Sequence, residues 1–226
     1  PFGTSPEHIE PEYVIFSPDG ARAYVSLQEN NAIAVVDVLQ GKLDKVFGVG
    51  TVRHAADIID DGKYAPSGEL FALREPDALA VSADGRYAYF SDASSKFDLN
   101  NYVLDVLEHA GNGRLLQYDF LTRETKTLLS GLQFANGVTL SKAGDYLLMT
   151  ETAAYKIIRY WLQGEKAGTH ETFIEGLPGF PDNIRTDADG NYWVAVPSLR
   201  DPMLDSLADK PAARKAMAKL LKYIEF

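Results

Sequence analysis

The chain has 226 residues, 46% of them hydrophobic and 24% charged, a globular balance that excludes a disordered or collagen-like protein. Its 22 Lys and Arg against 32 Asp and Glu give a net charge of −10, which attracts cations and argues against nucleic acid and anionic membranes as partners. The absence of cysteine excludes disulfides, thiolate zinc sites and a cysteine nucleophile.

No stretch approaches the roughly 18 apolar residues that a membrane-spanning helix requires. The chain starts at Pro1, with no basic and then apolar leader, so we expect a targeting segment to be absent or already removed. The compartment is therefore not determined by the sequence.

An internal repeat organises the chain, because four segments share one strand, turn and strand pattern. In chain order they are EYVIFSPDGARAYVS from Glu12, DALAVSADGRYAYFS from Asp77, NGVTLSKAGDYLLMT from Asn136 and DNIRTDADGNYWVAV from Asp182. A glycine follows the first residue of each segment by eight positions, where it supplies the positive φ of a hairpin turn. These glycines are Gly20, Gly85, Gly144 and Gly190.

A second pair of predicted strands follows each of the first three segments, and four strands per unit indicate a β-propeller blade. The prediction is one all-β propeller domain over residues 1–226, with about four blades, the last incomplete, and a basic C-terminal helix. The predicted blades cover about 12–49, 76–132, 133–177 and 178–226. Four blades are at the lower limit of closure, so the chain closes alone, assembles with copies of itself, or is marginally stable.

Insertions lengthen the first two units, and we expect a loop from Val49 to Arg74 and a short helix within Ala93 to Asn112. A longer helix is predicted from about Asp201 to Lys222, with KYIEF after it as a candidate third strand. Its apolar face is Ala213, Met217, Leu220 and Leu221. We expect it to form a lid over one propeller face, an anionic membrane being the alternative.

The residues that open the four segments are Glu12, Asp77, Asn136 and Asp182, and all carry oxygen ligands. Because the first strand of every blade lines the central channel, these side chains should converge there. Uncompensated carboxylates would repel one another, so a cation is expected among them, and oxygen-only ligation favours Ca²⁺. Asn183 and Glu75 are further candidates at this rim, with Asn183 included in the predicted metal set. The alternative is that these residues only form Asx turns.

From about residue 74 to 219 the chain resembles the strictosidine synthase-like and adipocyte plasma membrane-associated protein family of six-bladed propellers. The resemblance lies in SDASSKF, FANGV, DYLLMTET, GLPGFPDNI and DGNYWVAVPSLRDPMLD, in that order. More distantly it is similar to the calcium-dependent gluconolactonases and paraoxonases. That likeness implies that Asn136 and Asp182 are calcium ligands and that Glu12 takes the place of their first-blade Glu.

The first seventy-odd residues instead resemble choice-of-anchor and phytase-esterase-like propellers. Pro76 stands where strictosidine synthase-like proteins usually carry Asn, which removes one expected ligand. The blades after the fourth segment, and the late-blade Glu of plant strictosidine synthase, have no counterpart. The mixed pattern indicates a recombined, truncated or engineered propeller.

The leading functional hypothesis is a calcium-dependent hydrolase of a small lactone or ester, with Asp182 activating the water. Asn136, Glu12 and Asp77 would hold the ion. A non-catalytic binding or scaffold propeller is the competing hypothesis. Condensation of an amine with an aldehyde, as in strictosidine synthase, is the weakest, because the Glu it needs is missing.

Overall fold

A computed structural model describes residues 11–28, 30–56, 68–73, 76–97 and 101–221. The architecture is mostly β, with sixteen strands and three α-helices in these ranges. Three sheets have four antiparallel strands each, in which neighbouring strands are consecutive in the chain. A two-stranded sheet follows them. The predicted propeller with an incomplete fourth blade is therefore confirmed.

The strands of the blades follow the chain in simple meanders. The first blade contains β1 Pro11–Phe16, β2 Arg22–Leu27, β3 Ala32–Asp37 and β4 Lys42–Gly48. The second contains β7 Leu79–Val81, β8 Tyr87–Asp92, β9 Gly113–Asp119 and β10 Glu124–Leu132. The third contains β11 Ala135–Leu140, β12 Tyr146–Glu151, β13 Lys156–Trp161 and β14 His170–Ile174. The partial fourth blade pairs β15 Ile184–Thr186 with β16 Tyr192–Val194.

The turn glycines behave as the repeat predicts. Gly20, Gly85, Gly144 and Gly190 all have positive φ, between 68° and 93°. Each donates its N–H to the carbonyl three residues earlier, as Gly20 does to Ser17 at 2.8 Å. An L side chain is disfavoured at these angles, so glycine at this position fixes where each hairpin turns.

Alternating side chains hold successive blades together. On β8, Phe90 packs with Ile33 and Leu116 between the first and second blades, whereas Tyr89 packs with Leu147 between the second and third. Phe90, Ile33, Leu116 and Leu147 are all fully buried. Because side chains on a strand point alternately to its two faces, one strand contributes to the cores on both sides of its blade.

The segment from Val49 to Arg74 differs from the predicted loop. It contains a hairpin of β5 Thr51–Ala56 and β6 Gly68–Leu73, paired in continuous antiparallel register. This pair forms a sheet separate from the blades. The run TVRHAA has no strict alternation of apolar and polar residues, so the sequence pattern does not predict a strand there.

Helix α1, Tyr102–Glu108, lies in the predicted insertion, but the predicted C-terminal helix is two helices. Helix α2 is Pro202–Ser206 and α3 is Pro211–Leu221. Asp201 caps α2 by accepting from the N–H groups of Met203 and Leu204. Pro211 begins α3, a position where its missing N–H is harmless. KYIEF lies outside the described residues.

Helix α3 docks on α1 through a buried arginine, which the predicted apolar face did not include, and of that face Met217 is half-buried. Ala213 and Leu220 are exposed, whereas Arg214 is only 5% exposed. The Arg214 guanidinium donates to Leu107 O at 3.1 Å and to Val106 O at 3.0 Å. A cation on the last carbonyls of a helix is favourable because those groups lack partners within the helix. None of the helices in the described ranges is long and apolar enough to cross a membrane.

His109 ends α1 in the left-handed conformation, with φ of 53°. Its Nδ1 is buried and has no hydrogen-bond partner within the described ranges. Burial, with the positive charges of Arg214 and Lys156, lowers the pKa of His109 to about 4 against the opposing effect of Glu151. The folded protein therefore holds this imidazole neutral at the junction of α1 and α3.

We expect His109 to make the protein less stable in acid. Below about pH 6.5 the unfolded chain binds a proton at this side chain, and the native state does so only near about pH 4, so stability falls across that window. In His109→Asn this loss should be absent, and asparagine tolerates the left-handed angle. Urea unfolding at about pH 7 and about pH 5 measures it.

The matched control is His170→Asn, which replaces an exposed histidine of β14. This variant should keep the acid dependence of the wild type. An identical loss of stability in His109→Asn and the wild type would contradict the assignment.

Candidate metal centre

The predicted ligands lie where the innermost strands of the blades meet. Strand β7 contacts both β1 and β11, and β11 contacts β15. Glu12 and Asn136 are the second residues of β1 and β11, while Asp77 and Asp182 lie two residues before the starts of β7 and β15. The four predicted ligands therefore lie at the same end of neighbouring innermost strands.

Asp77 is the electrostatic centre of this group. Burial, together with the negative charges of Glu12, Asp182 and Asp92, raises its pKa to about 7, with burial as the largest cause. Three carboxylates from three different blades are thus close enough to act on Asp77. With no cation present, the protein disfavours the ionised form of this side chain.

The third and fourth blades meet at Gly137, next to Asn136. A Cβ at Gly137 would lie 2.5 Å from the carbonyl oxygen of Asp182, 2.5 Å from the N of Ile184 and 2.8 Å from Cα of Asn183. No other amino acid fits this contact without displacement of backbone. The glycine of FANGV therefore allows the backbone of the PDN segment to lie directly against β11.

Two amide oxygens in this contact are buried without a partner. Asn136 Oδ1 and Asn183 Oδ1 accept no hydrogen bond from any described residue. Leaving a buried polar oxygen unpaired costs about 1–3 kcal/mol, which a bound cation would offset. Together with the disfavoured charge of Asp77, these oxygens fit a hard divalent ion.

Acidic side chains alone do not form a metal site in the described ranges. No group of three or more His, Asp and Glu there lies in an arrangement that could hold an ion. Glu12 is exposed, and Asp182 and Asn183 are half-buried. Glu75 lies outside the described residues. A site at this position must therefore use the asparagine amides as well as carboxylates.

Further charged groups lie at the ends of the second strands. Asp92, the last residue of β8, forms a buried ion pair with Arg114 of β9. Glu151, the last residue of β12, pairs with Lys156 at 2.8 Å and accepts from Gln133 N at 2.8 Å. Each of these acids has a basic partner within its own blade, although burial still raises the pKa of Asp92 to about 6 against the opposing charge of Arg114.

The repeat pattern does not predict Gly137 or Asp92 as part of the site. The signal for Gly137 was a glycine inside a strand, which indicates close backbone approach. The signal for Asp92 was weaker, because an acidic residue at the end of a strand does not indicate which charged side chains will lie near it.

Family profiles match two parts of the chain. The profile described as Strictosidine synthase matches residues 77–165. The profile described as Choice-of-anchor I domain matches residues 3–102. Both resemblances drawn from the motifs are therefore supported, and they overlap in the second blade.

The full-length relatives are longer than this chain. Adipocyte plasma membrane-associated protein of Gallus gallus is 39% identical over 196 residues, which cover 85% of this chain and 46% of the relative. Protein STRICTOSIDINE SYNTHASE-LIKE 6 of Arabidopsis thaliana is 43% identical over 148 residues, covering 66% of this chain and 39% of the relative. The chain spans about half the length of the curated relatives it matches, or less.

A solved structure of a gluconolactonase, XC5397 from Xanthomonas campestris, aligns with a TM-score of 0.51 at 18% identity. The alignment covers 81% of this chain and 55% of that structure. At this identity the likeness shows a common propeller fold.

We expect Gly137→Ala to destabilise the protein by about 1–3 kcal/mol, because the added methyl group forces the Asp182 backbone away from β11. Gly48→Ala is the control, since a Cβ at Gly48 meets nothing within 4 Å. That change should stay within about 0.5 kcal/mol. Urea unfolding measures both, and equal stability of the two variants would contradict the close contact.

Proposed function

Because the chain belongs to the family of strictosidine synthase-like and adipocyte plasma membrane-associated proteins, we propose that it is a hydrolase of small lactones or esters that uses a Ca²⁺ ion in the propeller channel. One observation carries this proposal: two amide oxygens are buried and unpaired where the third and fourth blades meet, and the neighbouring innermost strand begins after a carboxyl group whose charge the protein disfavours. A divalent cation satisfies all three groups at once.

Each proposed ligand has a distinct contribution. The side chains of Asn136 and Asn183 supply neutral oxygens from two adjacent blades, and Asp77 and Asp182 supply charge. Glu12 is exposed and is the most weakly supported of the five. A set of carboxylate and amide oxygens without nitrogen or sulfur favours Ca²⁺ or Mg²⁺, and ligands spread over several strands suit the flexible coordination of Ca²⁺.

The bound ion supplies Lewis acidity, which polarises a substrate carbonyl and stabilises the negative charge that develops on its oxygen. The chain itself supplies the base. No described residue donates a hydrogen bond to the Asp182 carboxylate, so it is free to accept a proton from water as the water oxygen bonds to the carbonyl carbon. The C–O bond to the alcohol then breaks, and Asp182 returns the proton to that oxygen.

A non-catalytic propeller is the second candidate, favoured by the absence of a three-acid cluster in the described ranges and by the exposure of Glu12. Such a protein could bind a cation or ligand in the channel without a reaction. Binding and turnover must therefore be measured separately.

We expect Ca²⁺ to raise the thermal midpoint of the wild type, since an ion that binds only the native state stabilises it by mass action. Asn136→Ala should weaken Ca²⁺ binding about tenfold or more, equivalent to about 1.4 kcal/mol. The control is Gln40→Ala, which removes an exposed amide on the turn between β3 and β4. A wild-type midpoint that does not move with Ca²⁺ would contradict the metal site.

We also expect hydrolysis of phenyl acetate and of simple δ-lactones that disappears in excess chelator and returns with Ca²⁺. Asp182→Asn should lower kcat by about 10²–10⁴-fold, the usual effect of removing a general base. Ca²⁺ binding without any hydrolysis would favour the non-catalytic propeller. Hydrolysis that is unchanged by chelator would rule out a role for the ion.

A further inference from the structure

Each of the three complete blades carries a fully buried hydroxyl side chain on its second strand, at the last residue of the repeated segment. These residues are Ser26, Ser91 and Thr150, each with 0% exposure. In the fourth segment the same position is Val196. We propose that Thr150 is a positioning residue that fixes the backbone of Asp182 and Asn183, and so sets their side chains at the candidate metal centre. This inference rests on the proposed function.

Thr150 reaches from the third blade to the fourth. Its Oγ1 donates to the carbonyl oxygen of Asp182 at 2.7 Å. Two residues later, Thr152 Oγ1 donates to the carbonyl oxygen of Pro181, also at 2.7 Å. Consecutive carbonyls are therefore held by hydroxyls of the neighbouring blade.

The opposite side of the same segment is held by the fourth blade. Asp182 N donates to Ala195 O, and Ala195 N donates to Asn183 O, both at 2.9 Å. Gly137 lies against the segment from β11. Both backbone polar groups of Asp182, its N–H and its carbonyl oxygen, are thus hydrogen-bonded, which leaves its peptide planes little freedom to rotate.

The hydroxyl of the first blade makes the same kind of link, and that of the second blade bonds within its own blade. Ser26 accepts from the N–H of Tyr13 in its own blade at 3.0 Å and donates to the carbonyl oxygen of Asp77 at 3.0 Å. Ser91 accepts from the N–H of Ala78 at 3.2 Å. In both links that Ser26 and Thr150 make to the next blade, the acceptor is the carbonyl of a predicted metal ligand, Asp77 or Asp182. The hydroxyls are therefore placed at the groups that must be oriented for ion binding.

Loss of the Thr150 hydroxyl would leave the Asp182 carbonyl without this partner in a water-excluded place. An unpaired carbonyl is unfavourable, so the peptide plane would turn toward another donor. Because the side chains of Asp182 and Asn183 project from the two Cα atoms that flank this plane, the turn would move their oxygens. Binding sites require placement within about 0.5 Å, so ion affinity should respond.

The simpler alternative is that Thr150 only holds two blades together. Thr139 allows this alternative to be tested, because it makes a comparable link between the same blades. Its Oγ1 lies 3.0 Å from Thr186 Oγ1 and accepts from Thr186 N at 3.2 Å. Thr139 is 8% exposed and lies toward the turn end of β11, away from Asp182.

The experiment compares Thr150→Val, Thr150→Ser and Thr139→Val with the wild type. Two quantities are measured: Ca²⁺ affinity from thermal titration, and hydrogen exchange of residues 178–186 in chelator. Thr150→Val should bind Ca²⁺ about tenfold more weakly and exchange faster in this segment. Thr150→Ser, which keeps the hydroxyl, should restore both. Thr139→Val should lose stability to a similar degree while keeping wild-type affinity and wild-type exchange at Asp182 and Asn183.

Three outcomes would overturn the proposal: unchanged affinity and exchange in Thr150→Val, equal loss in Thr150→Ser, or equal loss in Thr139→Val. If the wild type binds no Ca²⁺, the proposed function fails, and the exchange measurement still tests the positioning role. Should Thr150→Val not fold, Thr152→Val removes the neighbouring bond to Pro181. It should then show the same faster exchange, and wild-type exchange in it would count against the proposal.

Discussion

Close approach of the innermost strands is the constraint on which the rest of the structure depends. At Gly137 the backbone of the next blade comes so near that a Cβ would lie 2.5 Å from two of its atoms. Such an approach brings the peptide groups of Asp182 and Asn183 beside Asn136. It also excludes water from polar side chains, so a side chain that lacks a hydrogen-bond partner or an opposite charge destabilises the folded state.

The polar groups at this end of the blades divide into two kinds. Acids at the ends of the second strands are paired within their own blades, as Asp92 is with Arg114 and Glu151 with Lys156. Among the described residues, groups at the starts of the first strands lack such partners: the charges that act on Asp77 are all negative, and two asparagine oxygens are unpaired. The second blade therefore contains both an internal ion pair, Asp92 with Arg114, and an acid, Asp77, on which only negative charges act.

Hydroxyl groups connect this electrostatic arrangement to the packing. The blades are held mainly by apolar side chains that alternate along each strand, and the hydrophobic stabilisation of such contacts has no preferred direction. A hydrogen bond from a buried hydroxyl to one particular carbonyl is directional, so it fixes the relation between adjacent blades more closely. Ser26 and Thr150 place that bond at the residues whose side chains would have to meet around an ion.

The sequence by itself determined the repeat, the strand-turn-strand units and the glycines with positive φ, because strand alternation and hairpin turns are local properties. It also identified oxygen-bearing side chains at the start of each unit, and these stay predicted ligands. The strands of the Thr51–Leu73 hairpin were not predictable because their residues do not alternate strictly between apolar and polar. The buried face of α3 was not predictable because it depends on α1, which is distant in the chain. Only the tertiary structure decided which charges act on Asp77 and which carbonyl each hydroxyl contacts. These interactions cross from one blade to the next, where sequence spacing carries no information about distance or direction.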